Sequence, residues 1–337
     1  MLFKFFLGFD ISRNTLDYNL LDPNGKSVHS GQITNSVKAI IKLIKFLTSL
    51  VDIEASSILI CAEEGGLYSN FLKLAATQHK CTLWMTDALE IKLRSGRKKG
   101  KSDPADALMI ANYAFRYKDQ AKPFTVAPLT TRKIKYVSRQ RQAIMQDVVA
   151  WKTRLGEQKK FGVIDMPQII KMLEKYIQQA EQMIEELDKQ LLELIKSDAA
   201  IKRKYDIALS VPGFGKKNTI AVFAETEIFT KIPNARACAS YAGLCPYDYQ
   251  SGTSIKRNAR TSKACNKRLK TALHQGAQNL IKKDNLFGDQ YQRLREKGKN
   301  HLKAVNAVRN KMVRVLYACL ESDSMYRKSY HERLRVQ

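Results

Sequence analysis

Residues 5–21, FFLGFDISRNTLDYNLL, contain two apolar strand-like runs separated by a short polar loop. A third run, Ser27–Ile33, follows Asp22-Pro23-Asn24-Gly25, a strong hairpin-turn sequence. Helical and strand-like patterns then alternate: a helix at Val37–Leu50, a strand at Ser57–Ala62, a helix near Tyr68–Thr77, a strand at Cys81–Met85 and a helix from Asp103 to about Tyr117. A three-stranded meander followed by such alternation is typical of an α/β RNase H-like fold, which we predict for the N-terminal part.

Charge is distributed unevenly along the 337 residues, which carry a net charge of +26. Residues 1–90 contain 8 basic and 9 acidic side chains, a net charge of −1, so the remainder contains 50 basic and 23 acidic side chains, a net charge of +27. A merely soluble surface needs far less charge than this. We therefore expect a polyanion, DNA above all, to bind residues 91–337.

The six cysteines show no C-x-x-C pair and no His-flanked spacing. This argues against a zinc site or a disulfide framework and favours reduced thiols. The apolar start of the chain ends at Asp10, too early for a signal-peptide core, and no apolar run approaches the length of a membrane span. We expect a cytoplasmic, nucleoid-associated protein.

A heptad pattern predicts a long helix in the middle of the chain. Its apolar positions step by three and four residues: Ile170, Leu173, Ile177, Ala180, Ile184, Leu187, Leu191 and Leu194. This seam requires a partner helix, which could belong to the same chain as a hairpin or to a second subunit. We predict that residues 170–194 hold the subunits of a homo-oligomer together, as a dimer or tetramer.

Acidic residues stand at the ends of two predicted strands and at the start of a helix. Asp10 ends the first strand, Glu63 and Glu64 end another, and Asp103 and Asp106 lie three apart on one helix face. Brought together, four such carboxylates would hold two divalent cations, Mg²⁺ or Mn²⁺, about 4 Å apart, an arrangement that drives phosphodiester chemistry. Helix capping is the simpler alternative for Ser102-Asp103-Pro104 and Asp106.

Three basic segments are candidates for contacts with nucleic-acid phosphates. The first is a Lys- and Arg-rich loop that precedes Asp103. The second is Val211-Pro212-Gly213-Phe214-Gly215, which resembles a helix-hairpin-helix turn whose glycines let backbone N–H groups approach phosphate. The third follows Gln250-Ser251-Gly252-Thr253-Ser254, where a hydroxyl could act as a nucleophile, although the residues alone do not favour Ser251 over Ser254. The predicted nucleic-acid-binding residues are Arg94, Arg97, Lys98, Lys99, Lys101, Gly213, Gly215, Lys216, Lys217, Lys256, Arg257, Arg260, Lys263, Lys267 and Arg268.

Several ordered motifs resemble the DEDD-type insertion-sequence transposases and the related Piv DNA invertases over nearly the full chain. This group includes the insertion-sequence family numbered one hundred and ten, whose members are guided by a bridge RNA. The matching segments are Gly8-Phe9-Asp10, Glu63 to Tyr68, Lys101 to Ala107, Val211 to Gly215, Tyr241 to Pro246, Gln250-Ser251-Gly252, and Ser262-Lys263 with Asn266 and Arg268.

The resemblance implies a RuvC-like nuclease domain, which we place at residues 1–120, a helical linker and coiled coil at 121–200, and a mainly α-helical transposase domain at 201–337. It implies that Asp10, Glu63, Asp103 and Asp106 bind Mg²⁺ and that Ser251 attacks the DNA phosphate. It also implies a guide RNA as partner. The family pattern has a small residue and Thr where this chain has Glu64 and Gly65, so counting back from Tyr68 selects Glu63 but leaves Glu64 open.

Three other classes of protein share parts of this pattern. A sugar-kinase or actin-like ATPase needs a Gly-rich phosphate loop after its strand-end Asp, and Ile11-Ser12-Arg13-Asn14 supplies none. A RuvC-like Holliday-junction nuclease would use the same carboxylates with water as the nucleophile, and it is the main alternative. A non-catalytic DNA-binding protein does not explain four well-placed acids in so basic a chain.

Overall fold

The computed structural model describes residues 3–95, 103–162, 166–251, 255–282 and 285–327, with backbone only between residues 248 and 259. Residues 1–126 and 127–337 form two compact units.

A five-stranded sheet is the centre of the first unit. Its strands are β1 (Phe5–Ile11), β2 (Thr15–Leu21), β3 (Ser27–Thr34), β4 (Ile58–Glu63) and β5 (Thr82–Thr86). The spatial order is β3-β2-β1-β4-β5, with antiparallel pairing among the first three strands and parallel pairing of β1 with β4 and of β4 with β5. This arrangement confirms the predicted RNase H-like fold.

Helices cover both faces of the sheet because the side chains of its strands alternate between two apolar clusters. On β1, Leu7 and Phe9 pack with α1 (Val37–Leu50) and α2 (Asn70–Gln78). Phe6 faces the other way, toward α3 (Ala88–Ser95) and α4 (Asp103–Arg116). The sequence predicted α1 with its observed bounds, whereas β4 lies one residue later than predicted, so that Glu63 is its last residue.

The approach of α4 to β1 is unusually close at Gly8. A Cβ atom on Gly8 would lie 2.3 Å from the backbone nitrogen of Ala111 and 2.5 Å from the carbonyl oxygen of Ala107. Both neighbours are helix backbone, which cannot move aside as a side chain can. Gly8 therefore sets the distance between helix and sheet.

The second unit begins with two long antiparallel helices, α5 (Leu129–Phe161) and α6 (Pro167–Lys196). Ile177, Ala180 and Ile184 of the predicted heptad are buried against Val148 and Leu155 of α5. Ion pairs cross the two helices at Lys152–Glu181 (2.6 Å), Lys159–Glu174 (2.5 Å) and Arg141–Asp188. A partner helix for these heptad positions thus lies in the same chain, which is the hairpin alternative of the sequence analysis. That residues 170–194 also hold subunits together stays a prediction.

The remaining described residues of the second unit are mainly helical. They form α7 (Ala199–Ser210), α8 (Lys216–Thr226), α9 (Ala235–Tyr241), β6 (Pro246–Ser251), β7 (Ile255–Thr261), α10 (Lys267–Leu280), α11 (Leu286–Glu296) and α12 (His301–Glu321). The strands β6 and β7 pair as an antiparallel hairpin, which the sequence analysis did not predict. Leu191 and Ile195 of α6 belong to the core of this helical region, so α6 and the helices after it share one hydrophobic core.

We predict that Gly8→Ala destabilises the protein by about 1–3 kcal/mol, because the added methyl group meets helix backbone. Thermal unfolding measures the change. Gly65→Ala is the matched control, since a Cβ there would have its nearest neighbour, in Ile11, at 3.8 Å. Equal melting temperatures for the two variants would contradict the prediction.

Candidate active site

Asp10 and Glu63 lie side by side at the ends of adjacent parallel strands. Phe9 pairs with Ala62, and Asp10 and Glu63 are the next residues along β1 and β4. Both point away from the α1 and α2 side, because Phe9 and Ala62 belong to that side and strand residues alternate. The two carboxylates therefore share the face that α4 covers.

The close contact at Gly8 brings the acidic end of α4 to the same place. Because Ala107 lies over Gly8 and Phe115 contacts Phe6, α4 runs antiparallel to β1. The four residues from Ala107 back to Asp103 span about 6 Å of helix, and the two residues from Gly8 to Asp10 span about 7 Å of strand. The first turn of α4 is therefore level with Asp10.

The electrostatics of Asp10 show that these carboxylates are close together. Burial, followed by the charges of Asp106, Asp103, Glu63 and Asp17, raises the pKa of Asp10 to about 6. Each of the four neighbours makes the ionised form of Asp10 less favourable. The charges of Glu63, Asp103 and Asp106 thus all act on Asp10. That the four carboxylates form one metal site stays a prediction.

Asp17 is a fifth acid of this cluster, and sequence reasoning missed it. It lies directly opposite Asp10 in the β1–β2 ladder and is only 5% exposed. The side-chain nitrogen of Gln32 donates a hydrogen bond to its carboxylate at 2.9 Å. The signal was the short loop between Ile11 and Thr15, whose length places residue 17 across from residue 10.

Glu64 points to the opposite face of the sheet. Its carboxylate lies 2.6 Å from the Nζ atom of Lys73 on α2 and accepts a hydrogen bond of 3.1 Å from Ser69. Glu63 faces the other cluster, where its charge adds to burial in raising the pKa of Cys61. The geometry therefore favours Glu63 over Glu64 as the fourth member of the acidic cluster.

The acidic cluster has the donor chemistry of a divalent-metal site. Carboxylate oxygens are the preferred ligands of Mg²⁺ and Mn²⁺. A cation would offset the burial and the neighbouring negative charges that together raise the pKa of Asp10. Among the described side chains, no three acids, histidines or cysteines are already arranged as a metal-binding group. The cluster thus fits a metal in composition and charge, and its side chains would adjust on binding.

The β6–β7 hairpin, which carries Ser251 at the last position of β6, is fixed at its base. The backbone nitrogen of Asn266 donates to the carbonyl of Tyr241 at 2.8 Å, just outside the two strands. The carbonyl of Leu244 accepts hydrogen bonds from the side chains of Asn306 (2.7 Å) and Asn310 (3.2 Å) on α12. These bonds tie the base of the hairpin to three helices.

Glu225 on α8 is a buried carboxylate that organises basic residues near this base. It is 5% exposed and accepts a hydrogen bond of 2.7 Å from Asn266, the residue that also caps α10. Arg139 and Arg268 lie 3.6 and 3.7 Å from its two oxygens, and both arginine side chains are about half exposed. The sequence analysis named Arg268 but neither Glu225 nor Arg139, because this contact joins residues more than 40 positions apart.

The other basic residues predicted to bind nucleic acid are placed as follows. Arg94 is held within the first unit by Glu90 at 3.3 Å and Gln120 at 2.7 Å. Lys216 and Lys217 are exposed at the start of α8, as are Arg260, Lys263 and Lys267 near the hairpin. Arg97, Lys98, Lys99, Lys101 and Ser254 lie outside the described residues, as do the side chains of Ser251, Lys256 and Arg257.

The two glycines of the predicted helix-hairpin-helix turn have different surroundings. The turn does join two helices, α7 and α8. A Cβ on Gly213 would lie 2.5 Å from Met312 and 2.9 Å from Leu280, and its φ of +90° also favours glycine. Gly213 thus serves packing and turn geometry. Gly215 has open space around it, at the exposed N-terminal end of α8.

Comparison with protein families matches both units. The DEDD transposase family matches residues 7–158, which contain Asp10, Glu63, Asp103 and Asp106. The transposase family IS116/IS110/IS902 matches residues 205–292, which contain Ser251. The chain belongs to this transposase family.

The chain is similar to several individual proteins. The transposase is 24% identical over 334 residues to the pilin gene-inverting proteins of Moraxella lacunata and Moraxella bovis, covering 98% of this chain and 99% of each relative. It is 31% identical to an insertion element IS110 protein of Streptomyces coelicolor over 36% of this chain and 29% of that protein. Thermus thermophilus RuvC in complex with a Holliday junction covers 36% of this chain and 99% of RuvC, with 18% identity and a TM-score of only 0.27.

Members of this family cut and rejoin DNA, and the transposase has DNA as its substrate. Enzymes with the DEDD fold are in general dependent on divalent metal ions. None of the described helices of the transposase is both long and apolar enough to cross a membrane.

We predict that Asp10→Asn stabilises the metal-free transposase above pH 6. The folded-state pKa of about 6 exceeds the ordinary value of 3.8, so the cost of ionising Asp10 is absent below pH 4 and complete above pH 6. The gain should be about 1–3 kcal/mol at pH 8 and vanish by pH 4. Thermal unfolding in EDTA across this range measures it, and a variant less stable than the parent at pH 8 would contradict it.

Proposed function

We propose that this transposase cuts and rejoins DNA with Ser251 as the nucleophile and the acidic cluster of Asp10, Glu63, Asp103 and Asp106 as its metal site. The crowding of carboxylates around Asp10 is the observation that supports this proposal most strongly. A cluster of like charges on one face of a sheet is unfavourable for folding, and a cation-dependent function explains why the chain keeps it. Two ions, Mg²⁺ or Mn²⁺, would suit four or five carboxylates.

The residues of the chain would divide the reaction between them. Bound metal supplies Lewis-acid stabilisation of the charge that develops on the phosphate oxygens. The Oγ atom of Ser251 attacks phosphorus, its proton passes to a carboxylate, and the leaving DNA oxygen departs as a hydroxyl after protonation. A phosphoserine ester then joins protein and DNA. Attack by a hydroxyl of the partner strand reverses the step, so no ATP is required.

DNA binding is assigned mainly to residues 91–337, on the basis of their net charge of +27. Exposed basic residues flank the β6–β7 hairpin, namely Arg260, Lys263, Lys267 and Arg268. Arg139, which shares the Glu225 carboxylate with Arg268, joins this set. Such groups hold phosphates in place without reading sequence, which leaves sequence recognition to another component.

We propose that this component is a structured guide RNA, as the family resemblance implies. Sequencing of the nucleic acid that co-purifies with the transposase from its own cells tests the proposal. A single discrete RNA species with defined ends is the expected result. Random fragments of DNA and RNA would contradict guidance, and they would leave the metal and serine assignments untouched.

For the metal site, we predict that Glu63→Gln abolishes Mg²⁺-dependent cleavage whereas Glu64→Gln retains most of it. Glu63 shares the face of Asp10, while Glu64 pairs with Lys73 at a side-chain exposure of 49%. Loss of such a partly exposed ion pair costs at most about 1 kcal/mol. Cleavage of supercoiled DNA in Mg²⁺ and in EDTA measures the effect. The reverse pattern, or cleavage that persists in EDTA, would refute the assignment.

For the nucleophile, we predict that Ser251→Ala keeps DNA affinity within about twofold while it removes both cleavage and the covalent protein–DNA adduct, since one uncharged hydroxyl contributes little to charge-driven binding. Denaturing gels of labelled DNA detect the adduct. Ser254→Ala is the matched control and should keep much of the activity. Cleavage by Ser251→Ala without an adduct would show that water attacks, as in a RuvC-like structure-specific nuclease.

A further inference from the structure

Arg309 on α12 is a buried cation that has no anionic partner in the part of the chain that the structure describes. Its side chain is 8% exposed, and its Nε atom has no hydrogen-bond acceptor. None of the ion pairs found between described residues includes it. An unpaired charge removed from water costs several kcal/mol, so Arg309 sits in a position where an anion would be stabilised.

His274 on α10 adds a second donor. The side-chain nitrogen of Gln278 lies 3.4 Å from Nε2 of His274 and 3.5 Å from Nε2 of His301. That nitrogen can only donate, so both Nε2 atoms accept and both Nδ1 atoms carry the proton. The Nδ1 atom of His301 donates to Tyr291 at 2.8 Å, whereas Nδ1 of His274 is buried and has no partner within the described ranges.

The two unpartnered donors are within electrostatic reach of each other. Burial, followed by the charges of Arg309 and His301, lowers the pKa of His274. Burial and the charge of Arg293 also lower the pKa of the neighbouring Lys311. Burial is the largest cause of both shifts, and the cations that add to it come from α11 and α12.

The same helices carry two buried acceptors without partners among the described residues. These are Oδ1 of Asn306, one turn before Arg309, and Oε1 of Gln290 on α11. A monoatomic anion such as chloride satisfies only donors. A nucleotide unit offers phosphate oxygens that accept and, in RNA, a ribose hydroxyl that both accepts and donates. The mixture of unpartnered atoms therefore suits a nucleotide better than a bare anion.

We propose that Arg309 and His274, with His301, Gln278 and Asn306 around them, form a binding site for a phosphate of the nucleic-acid backbone. We call these five residues the Arg309 cluster. The site is distinct from the acidic cluster of the first unit, and its role is binding and not chemistry. Asn306 also holds the carbonyl of Leu244, so the same helix that takes the phosphate anchors the base of the hairpin that carries Ser251.

Arg309→Met tests the site, because methionine keeps the length of the side chain and removes its charge. If Arg309 is an unpaired binding residue, the variant should melt at the same temperature as the parent or higher. Inorganic phosphate, compared with chloride at equal ionic strength, should raise the melting temperature of the parent and not that of Arg309→Met. Arg314→Met, an exposed charge on the same helix, is the matched control and should retain the phosphate effect.

Two results would overturn the site. A melting temperature several degrees below that of the parent would show that Arg309 has a structural partner. A phosphate effect that is absent from the parent, or equal in parent and variant, would show that no such anion site exists. Neither measurement uses DNA cleavage, so failure here is separate from failure of the metal and serine assignments.

Nucleic-acid binding identifies which backbone occupies the site. Arg309→Met should weaken binding by about tenfold and reduce the salt dependence by about one phosphate contact. A short DNA duplex and a single-stranded RNA of equal length are the probes. A loss confined to RNA or to DNA assigns the phosphate to that nucleic acid, and a loss with both shows recognition of the shared phosphodiester. Unchanged affinity for both would refute the nucleic-acid assignment.

Discussion

The contact between Gly8 and the backbone of α4 is the constraint on which the acidic cluster depends. With a Cβ position 2.3 Å from Ala111, no other residue fits there without displacing the helix. Helix α4 contacts β1 at that point, and the distance along the strand from Gly8 to Asp10 matches the distance along the helix from Ala107 back to its first turn. The first turn of α4 is therefore level with Asp10. A displaced helix would move Asp103 and Asp106 relative to Asp10. The geometry of the acidic cluster therefore depends on Gly8, a residue with no functional group of its own.

The parts of the fold predicted correctly were those that depend on neighbours along the chain. Alternation in β1 and β2, the Asp22–Gly25 turn, the helical period of α1 and the apolar run of β4 each specify local structure. The patterns of β1 and β4 placed Asp10 and Glu63 at strand ends. Contacts between distant segments could not be obtained in this way. The pairing of Glu64 with Lys73 and the choice of α5 as partner for the α6 heptad both depend on which surfaces meet, which the pattern of one segment does not contain.

The second unit orders its functional region with polar bonds where the first unit uses close packing. A β-hairpin of two strands is only marginally stable by itself, so the β6–β7 hairpin requires support at its base. Asn266, Asn306 and Asn310 supply it from α10 and α12, and buried Glu225 orients Asn266 while holding two half-exposed arginines. Apart from Asn266, which belongs to a family motif, these residues do not stand out in the sequence, because their effect arises only when α8, α10 and α12 come together.

Buried charges in the transposase are of two kinds, and the difference separates structural groups from functional ones. The charge of Glu225 is compensated by two arginines and an asparagine. Removing any of these partners would leave its buried charge less well compensated. Asp10 has the opposite surroundings, with four acids and a raised pKa, and no described residue accepts a hydrogen bond from Nε of Arg309. Groups of the second kind are unfavourable in the isolated chain and become favourable only with a ligand of opposite charge. Selection for stability alone would remove such groups. Their presence, acidic in the first unit and basic in the second, fits an enzyme that binds both metal ions and a polyanionic substrate.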